Sequence, residues 1–175
     1  METFFLIWAL GVATAGAIQD VRSRRIPNWL TYSGLLSALC VRLAVAGWPG
    51  FKSGLAGAIV GGGIFFLLFL VGGMGGGDVK LMAAVGAWAG SAYALPLLIV
   101  TALSGGVIGI GYMLFSKQVY ATLSNTMELM RHHVTSGLRP HPVLNIQEPG
   151  TLRVPYGLAI ALGTLYCAGN VIWRG

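Results

Sequence analysis

Residues 79–115 read VKLMAAVGAWAGSAYALPLLIVTALSGGVIGIGYMLF, a stretch with Lys80 as its one charge and no strongly polar run. A membrane-crossing helix needs about 20 apolar residues, so this stretch is too long for one ordinary crossing. Gly90, Ser91 and Pro96 supply turn chemistry at which it can break. Divided there, it contributes two helices, at 79–92 and 95–115. Working outward, further apolar runs bounded by charges or Gly/Pro clusters fall at 3–19, 29–46, 53–72 and 155–173. The expectation is an all-α polytopic membrane protein of six transmembrane helices forming one domain over 1–175.

Charge placement tests the division. With six crossings and the N-terminus outside, the inside connections carry Arg22, Arg24, Arg25, Lys80, Lys117, Arg131, Arg139 and Arg153, and the outside only Arg42, Lys52 and Arg174. Eight against three obeys the positive-inside rule; fusing 79–115 into one span would put the last long loop on the wrong side. Both termini are expected outside.

Composition excludes most alternatives. The chain is 55% hydrophobic and 9% charged, with a mean hydropathy of +0.76, whereas a soluble domain carries about 25% charged residues. A net charge of +6 is scattered between apolar runs rather than gathered on a soluble face, so nucleic acid is not an expected partner and membrane lipid is. Cys40 and Cys167 lie in apolar segments without CxxC spacing and are expected to pack between helices. The N-terminal METFFLIWALGVATAG lacks the basic start of a secretory signal and is followed by Arg22, Arg24 and Arg25, so it is expected to be a retained first span.

The 116–154 connection is the one long polar stretch. Val119, Leu123, Met127, Met130 and Val134 recur within it at near-helical spacing, which fits an amphipathic helix on the cytoplasmic membrane surface. The following RPHPVLNIQEPG has no period and reads as a linker. His132, His133 and His141 form no metal-ligand pattern, and neither a metal nor another cofactor is expected. Gly57 with Gly61, Gly86 with Gly90, and Gly105 with Gly109 are small-xxx-small pairs that let helix backbones pack closely.

The chain holds two aspartates. Asp20 ends the first span and Asp78 begins the fourth, both on the expected cytoplasmic side. An acid against hydrocarbon is costly, so such placements invite a functional reading. Two close carboxyls do not readily both ionise; one retains a proton while the other activates water, which is general acid/base chemistry suited to peptide hydrolysis. The bland alternatives are an i,i+4 pairing of Asp20 with Arg24 and an N-cap role for Asp78. The preceding GGMGGG favours chemistry, because glycines at a helix mouth permit close approach of another backbone such as a peptide substrate. A phosphate loop is disfavoured, since no Gly-Lys-Ser/Thr ending follows.

Gly75-Gly76-Gly77-Asp78-Val79-Lys80-Leu81, together with Asp20-Val-Arg-Ser-Arg-Arg-Ile-Pro-Asn28, resembles the two-part signature of the prepilin and preflagellin peptidases, the GxGD aspartyl proteases. The resemblance extends over nearly the whole chain. It implies that Asp20 and Asp78 are the catalytic pair and that Gly75, Gly76, Gly77, Arg22, Arg25, Pro27, Asn28 and Lys80 bind substrate or support the site. For the arginines, positive-inside anchoring is the simpler role, and for Asn28 helix capping. Lys80, two residues after Asp78, does not share its helix face and is expected to snorkel. Pro155-Tyr156-Gly157 resembles the Pro-aromatic-Gly that opens the last span of these enzymes, with helix entry as its expected role.

Larger family members add a segment with paired CxxC motifs and also N-methylate the product. Without CxxC, this chain resembles the short branch that serves Flp pili in tight adherence and related secretion systems, for which peptidase action without methylation is expected. The resemblance implies location in the bacterial inner membrane. Its implied substrates are prepilin and pseudopilin precursors with a basic leader, a cleavage site after Gly and a hydrophobic helix beyond it, and pilus-assembly machinery is a further possible partner. The rival readings are a small ion- or proton-coupled transporter using the aspartates as a relay, and a noncatalytic pilus-assembly protein. No inverted repeat supports the transporter.

Overall fold

A computed structural model describes residues 1–71, 73–115, 124, 127, 128 and 155–174. Those residues form five helices: α1 (Glu2–Ser23), α2 (Asn28–Leu70), α3 (Gly76–Ala89), α4 (Ser91–Phe115) and α5 (Tyr156–Arg174). No strand occurs among them. Helices α1, α2, α4 and α5 are each long and apolar enough to cross a membrane. The 116–154 connection, apart from three isolated positions, and with it the expected amphipathic surface helix, lies outside the described residues.

Helix α2 is a folded-back pair rather than a rod. Its 43 residues would extend about 65 Å if straight, twice the roughly 30 Å hydrocarbon thickness. Gly47 breaks it with φ 61°, ψ −156°, two residues before Pro49. Gly54 and Leu39 would stand about 22 Å apart along a straight helix, yet a Cβ on Gly54 would meet Leu39 Cδ2 at 3.4 Å. The two apolar runs expected at 29–46 and 53–72 are therefore the two limbs of one hairpin.

The break expected at Gly90 and Ser91 is present. Gly90 has φ 79° and closes α3, and Ser91 opens α4. Pro96, by contrast, lies inside α4 as its sixth residue and does not end it, although it removes one i→i−4 hydrogen bond there. The 79–92 span begins earlier than expected, at Gly76, because the helix starts inside the glycine cluster.

The bundle is inside-out relative to a soluble protein. Its surface presents large apolar side chains, among them Ile7, Leu36, Ile59, Leu67, Leu103 and Val107, as contact with lipid requires. Inside it, the contact between α2 and α3 is built from small ones. Gly54, Gly57, Gly61 and Gly62 of the second limb of α2 face Ala87, Gly86, Met82 and Ala83 of antiparallel α3; a Cβ on Gly57 would overlap the Gly86 carbonyl oxygen, and one on Gly61 would lie 3.0 Å from the Met82 oxygen. Without a hydrophobic driving force between helices in lipid, such close backbone approach supplies the packing. Gly105 likewise receives the Tyr156 ring, with 2.9 Å from a Cβ position to Cε1, but Gly109 has no neighbour within 4 Å among the described residues. Cys167 is buried as expected, whereas Cys40 is exposed on the outer surface.

Helix α3 is the axis of the bundle, with Leu81, Met82, Ala84, Val85, Gly86, Ala87, Trp88 and Ala89 all buried. At 14 residues it is about 21 Å long, shorter than the hydrocarbon layer, so both of its ends need polar partners supplied by protein. At its C-terminal end the partner is Arg42. That residue is 2% exposed and donates to the Trp88 carbonyl through Nε at 3.2 Å and Nη2 at 2.7 Å. Its guanidinium stands 4.1 Å over the Phe5 ring and 3.9 Å from Glu2. Arg42, counted from sequence as an outside loop charge, is thus a buried clamp joining α1, α2 and α3. The other end of α3 carries Asp78.

Candidate functional site

Three helix ends and one connector converge where α3 begins. Asp20 lies in the last turn of α1 and is 8% exposed. Arg24 ends α1 in the left-handed conformation, φ 50°, with its N–H on the Asp20 carbonyl at 2.8 Å. This turn directs Arg25, Ile26 and Pro27 across the mouth of α3 into α2. A Cβ on Gly77 would meet Ile26 Cβ at 3.3 Å, and one on Gly76 the Phe69 ring at 3.5 Å. The glycines that the sequence assigned to substrate approach are accordingly in use by the chain's own connector and by the end of α2, and the two signature segments touch through Gly77 and Ile26.

Asp78 is the third residue of α3, not its N-cap, which is Gly75. The Asp78 N–H donates to the Gly75 carbonyl at 3.1 Å, and its carboxyl turns back to the Gly75 N–H, a reciprocal arrangement of the capping-box kind. A Cβ on Gly75 would lie 2.9 Å from Asp78 Oδ2, so glycine at this position is a steric requirement of the carboxyl's placement.

The carboxyls of Asp20 and Asp78 lie within electrostatic reach of each other. Asp20 also feels the charge of Arg24, so the bland reading of an i,i+4 partnership is present alongside the pair. Its nearest polar partner comes from elsewhere: the Gly157 N–H, at the start of α5, donates to Asp20 Oδ2 at 2.8 Å. Tyr156 is within electrostatic reach of Asp78. Pro155-Tyr156-Gly157, read from sequence as helix entry alone, is therefore part of the site. No signal in the sequence singled out this contact, because Gly157 is one of 27 glycines.

Around this centre, Lys80 Nζ donates to Asn28 Oδ1 at 2.9 Å and stands 5.2 Å above the Tyr32 ring. Lys80 thus latches α3 to the start of α2 rather than merely snorkelling. Asn28 is the acceptor of that latch, while Pro27 holds the N-cap position with no side-chain cap bond. Arg22 and Arg25 are exposed and Pro27 half-buried.

Residues 4–110, more than half of the chain and inclusive of both aspartates, match the model of the type IV leader peptidase family. Among curated proteins, the chain is similar to prepilin leader peptidase/N-methyltransferases. It is 34% identical to that of Burkholderia pseudomallei over 102 residues, 52% of this chain and 31% of the relative. It is 35% identical to that of Xanthomonas campestris pv. campestris over 105 residues, 56% and 36%, and 34% identical to that of Aeromonas salmonicida over 122 residues, 65% and 40%. The chain therefore spans well under half the length of the curated relatives it matches. No solved structure matches it.

Proposed function

This chain belongs to the type IV leader peptidase family, and on that premise we propose that it is an intramembrane aspartyl endopeptidase of the bacterial inner membrane. Its substrates in this reading are type IV, Flp-type prepilin and pseudopilin precursors, from which it removes the basic leader. The observation that carries the reading is that Asp20 and Asp78, at two separate helix ends, lie within electrostatic reach of each other at one end of the bundle.

The chemistry follows from the pairing. Two carboxyls in mutual range share one negative charge more readily than two. The ionised member takes a proton from water as the water oxygen bonds to the scissile carbonyl carbon, and the protonated member gives its proton to the carbonyl oxygen. The resulting gem-diol collapses: one of its hydroxyl protons returns to the carboxylate that had donated to the carbonyl oxygen, the C–N bond breaks, and the proton taken from water passes to the departing amine. No metal or other cofactor enters this sequence. Product methylation is a separate chemistry, and no CxxC pair occurs in this sequence to support it.

In this reading α1, the two limbs of α2, α3, α4 and α5 make six crossings. Both termini lie outside and the aspartates at the cytoplasmic face, following the charge asymmetry of the connections. Exposed Arg22 and Arg25 then meet anionic headgroups, which offsets their repulsion of a basic leader. Gly75, Gly76, Gly77, Pro27, Asn28 and Lys80 act by shaping the mouth of α3.

The test is incubation of the purified protein, in detergent or bilayer, with a pilin-like precursor from the same genome, alongside Asp20→Asn and Asp78→Asn. Mass spectrometry should find a leader ending in Gly with the wild type alone. Cleavage by either variant would show that the residue is structural, and an intact precursor with every form would favour a noncatalytic assembly protein.

A further inference from the structure

Asp20 sits at the wrong end of its own helix for a negative charge. The last turn of α1 presents carbonyl oxygens, and the peptide dipoles there disfavour an anion. The side chain is nonetheless buried, at 8% exposure. What faces it is a helix end of the opposite kind. α5 begins at Tyr156, and the Gly157 N–H, one of the first-turn donors that has no acceptor within its helix, lies 2.8 Å from Asp20 Oδ2. Arg24 adds a positive charge within reach. Asp78 likewise accepts a helix N-terminal N–H, that of Gly75 in its own first turn, so the two acids differ in the charge that reaches them: Arg24 for Asp20 and the Asp20 carboxylate for Asp78.

Gly157 meets two requirements at once. Its N–H supplies the bond, and its lack of a side chain makes room for the acceptor. A Cβ at this position would lie 3.0 Å from Asp20 Cβ, 3.1 Å from Asp20 Oδ2 and 3.1 Å from Ala17 Cα. The first two contacts crowd the carboxyl directly, and the third is with backbone, which cannot swing aside.

We propose that Gly157 is a positioning residue that fixes the Asp20 carboxylate through its N–H, and that this contact divides the work of the pair. Asp20 carries the negative charge and accepts the proton of the attacking water; Asp78 carries the proton and donates it to the scissile carbonyl oxygen. The proposal rests on the aspartyl peptidase reading above. It extends the site beyond the two signature segments to the start of the last helix, outside the family match at 4–110.

Two measurements on the full chain in bilayer test it. The first is steady-state cleavage of a pilin-like precursor by wild type, Gly157→Ala and Gly169→Ala, the last a control on the same helix where a Cβ meets nothing within 4 Å among the described residues. Gly157→Ala should lose kcat on the order of 100-fold, the scale of a sub-ångström to 1 Å misplacement of a reacting group, with KM unchanged. Gly169→Ala should match wild type. The second needs no variant at position 157. Because the chain has two aspartates, aspartate-selective carboxyl 13C labelling gives two signals, assigned by their loss in Asp20→Asn and Asp78→Asn. The Asp20 signal should be that of a carboxylate and the Asp78 signal that of a carboxylic acid. Unchanged kcat in Gly157→Ala, a defect confined to KM, or reversed protonation states would overturn the proposal while leaving the peptidase reading intact. Cleavage by either aspartate variant, or none by wild type, would remove that reading and this proposal with it.

Discussion

Replacing Arg42 by Met tests the clamp at the end of the bundle away from the aspartates. The guanidinium makes two charge-assisted donations to one carbonyl, Trp88 O, at 3.2 and 2.7 Å. Bonds of this kind contribute about 1.5–3 kcal/mol each, less when both share an acceptor. Its stacking over Phe5 at 4.1 Å adds up to about 2 kcal/mol for a desolvated pair. Removing the donor also leaves the buried Trp88 carbonyl without this partner, at a cost of about 1–3 kcal/mol. Against these losses stands relief of the several kcal/mol spent on burying the cation. The net expected destabilisation of Arg42→Met is about 3 kcal/mol, or roughly two orders of magnitude in the unfolding equilibrium.

The assay is reversible unfolding in mixed micelles with increasing denaturing detergent, followed by tryptophan fluorescence, since Trp8 and Trp88 stack at 5.8 Å beside the clamp. Arg42→Lys keeps the charge and loses the fork, so about half of the loss is expected. Glu2→Gln should change stability by less than about 1 kcal/mol, because the pair is 3.9 Å apart and the Glu2 side chain is 50% exposed. A value for Arg42→Met within about 1 kcal/mol of wild type, the range of an ordinary surface change, would refute the clamp and return Arg42 to the role of a loop charge.

Other substitutions separate backbone strain, packing and local hydrogen bonding. Gly47→Ala should destabilise by about 1–3 kcal/mol through backbone strain alone, because φ is 61° while the nearest atom to a Cβ, on Pro49, is 3.8 Å away; equal stability in the same micelle assay would show that the hairpin bend tolerates a side chain. Gly57→Val should abolish the folded state, since even a Cβ there overlaps the Gly86 carbonyl, and a monodisperse, cleavage-competent product on size exclusion would refute the α2–α3 contact. Asn28→Ala should cost less than about 1 kcal/mol for an exposed bond but free Lys80, whose Nζ lies 2.9 Å from Asn28 Oδ1; amine-reactive labelling of Lys80 should then quicken, and an unaltered rate would count against the latch.

The fold was legible where periodicity and length decide it. The break of the 79–115 stretch at Gly90 and Ser91 and the two apolar runs on either side of Pro49 follow from hydropathy, glycine and proline placement. What hydropathy does not encode is which side chains meet. The charge of Arg42 looks the same to a topology count whether it sits in a loop or inside the bundle, and what holds the cation inside is the buried Trp88 carbonyl at the end of short α3. Cys40 departs from the expectation for the converse reason: residues suited to close packing also occur on exposed surfaces.

The candidate site divides along the same line. Asp20 and Asp78 stand out in the sequence because acids are costly beside hydrocarbon and the chain's two aspartates both fall at the ends of apolar runs. Gly157 does not, since one glycine among 27 carries no mark of its own. Its meaning comes from juxtaposition. An acid at the C-terminal end of α1 is electrostatically misplaced until the N-terminal end of α5 is set against it, and that contact requires a residue with an N–H and no Cβ. The same logic governs the opposite end of the bundle, where Arg42 supplies to the C-terminus of α3 the donor that lipid cannot. In both places the polar group that looks most out of register with its own helix is matched to the end of another. A charged residue misplaced on its own helix is therefore a pointer to which helix ends must meet, and in this bundle it leads from Asp20 to α5 and from Arg42 to α3, the helix that carries Asp78.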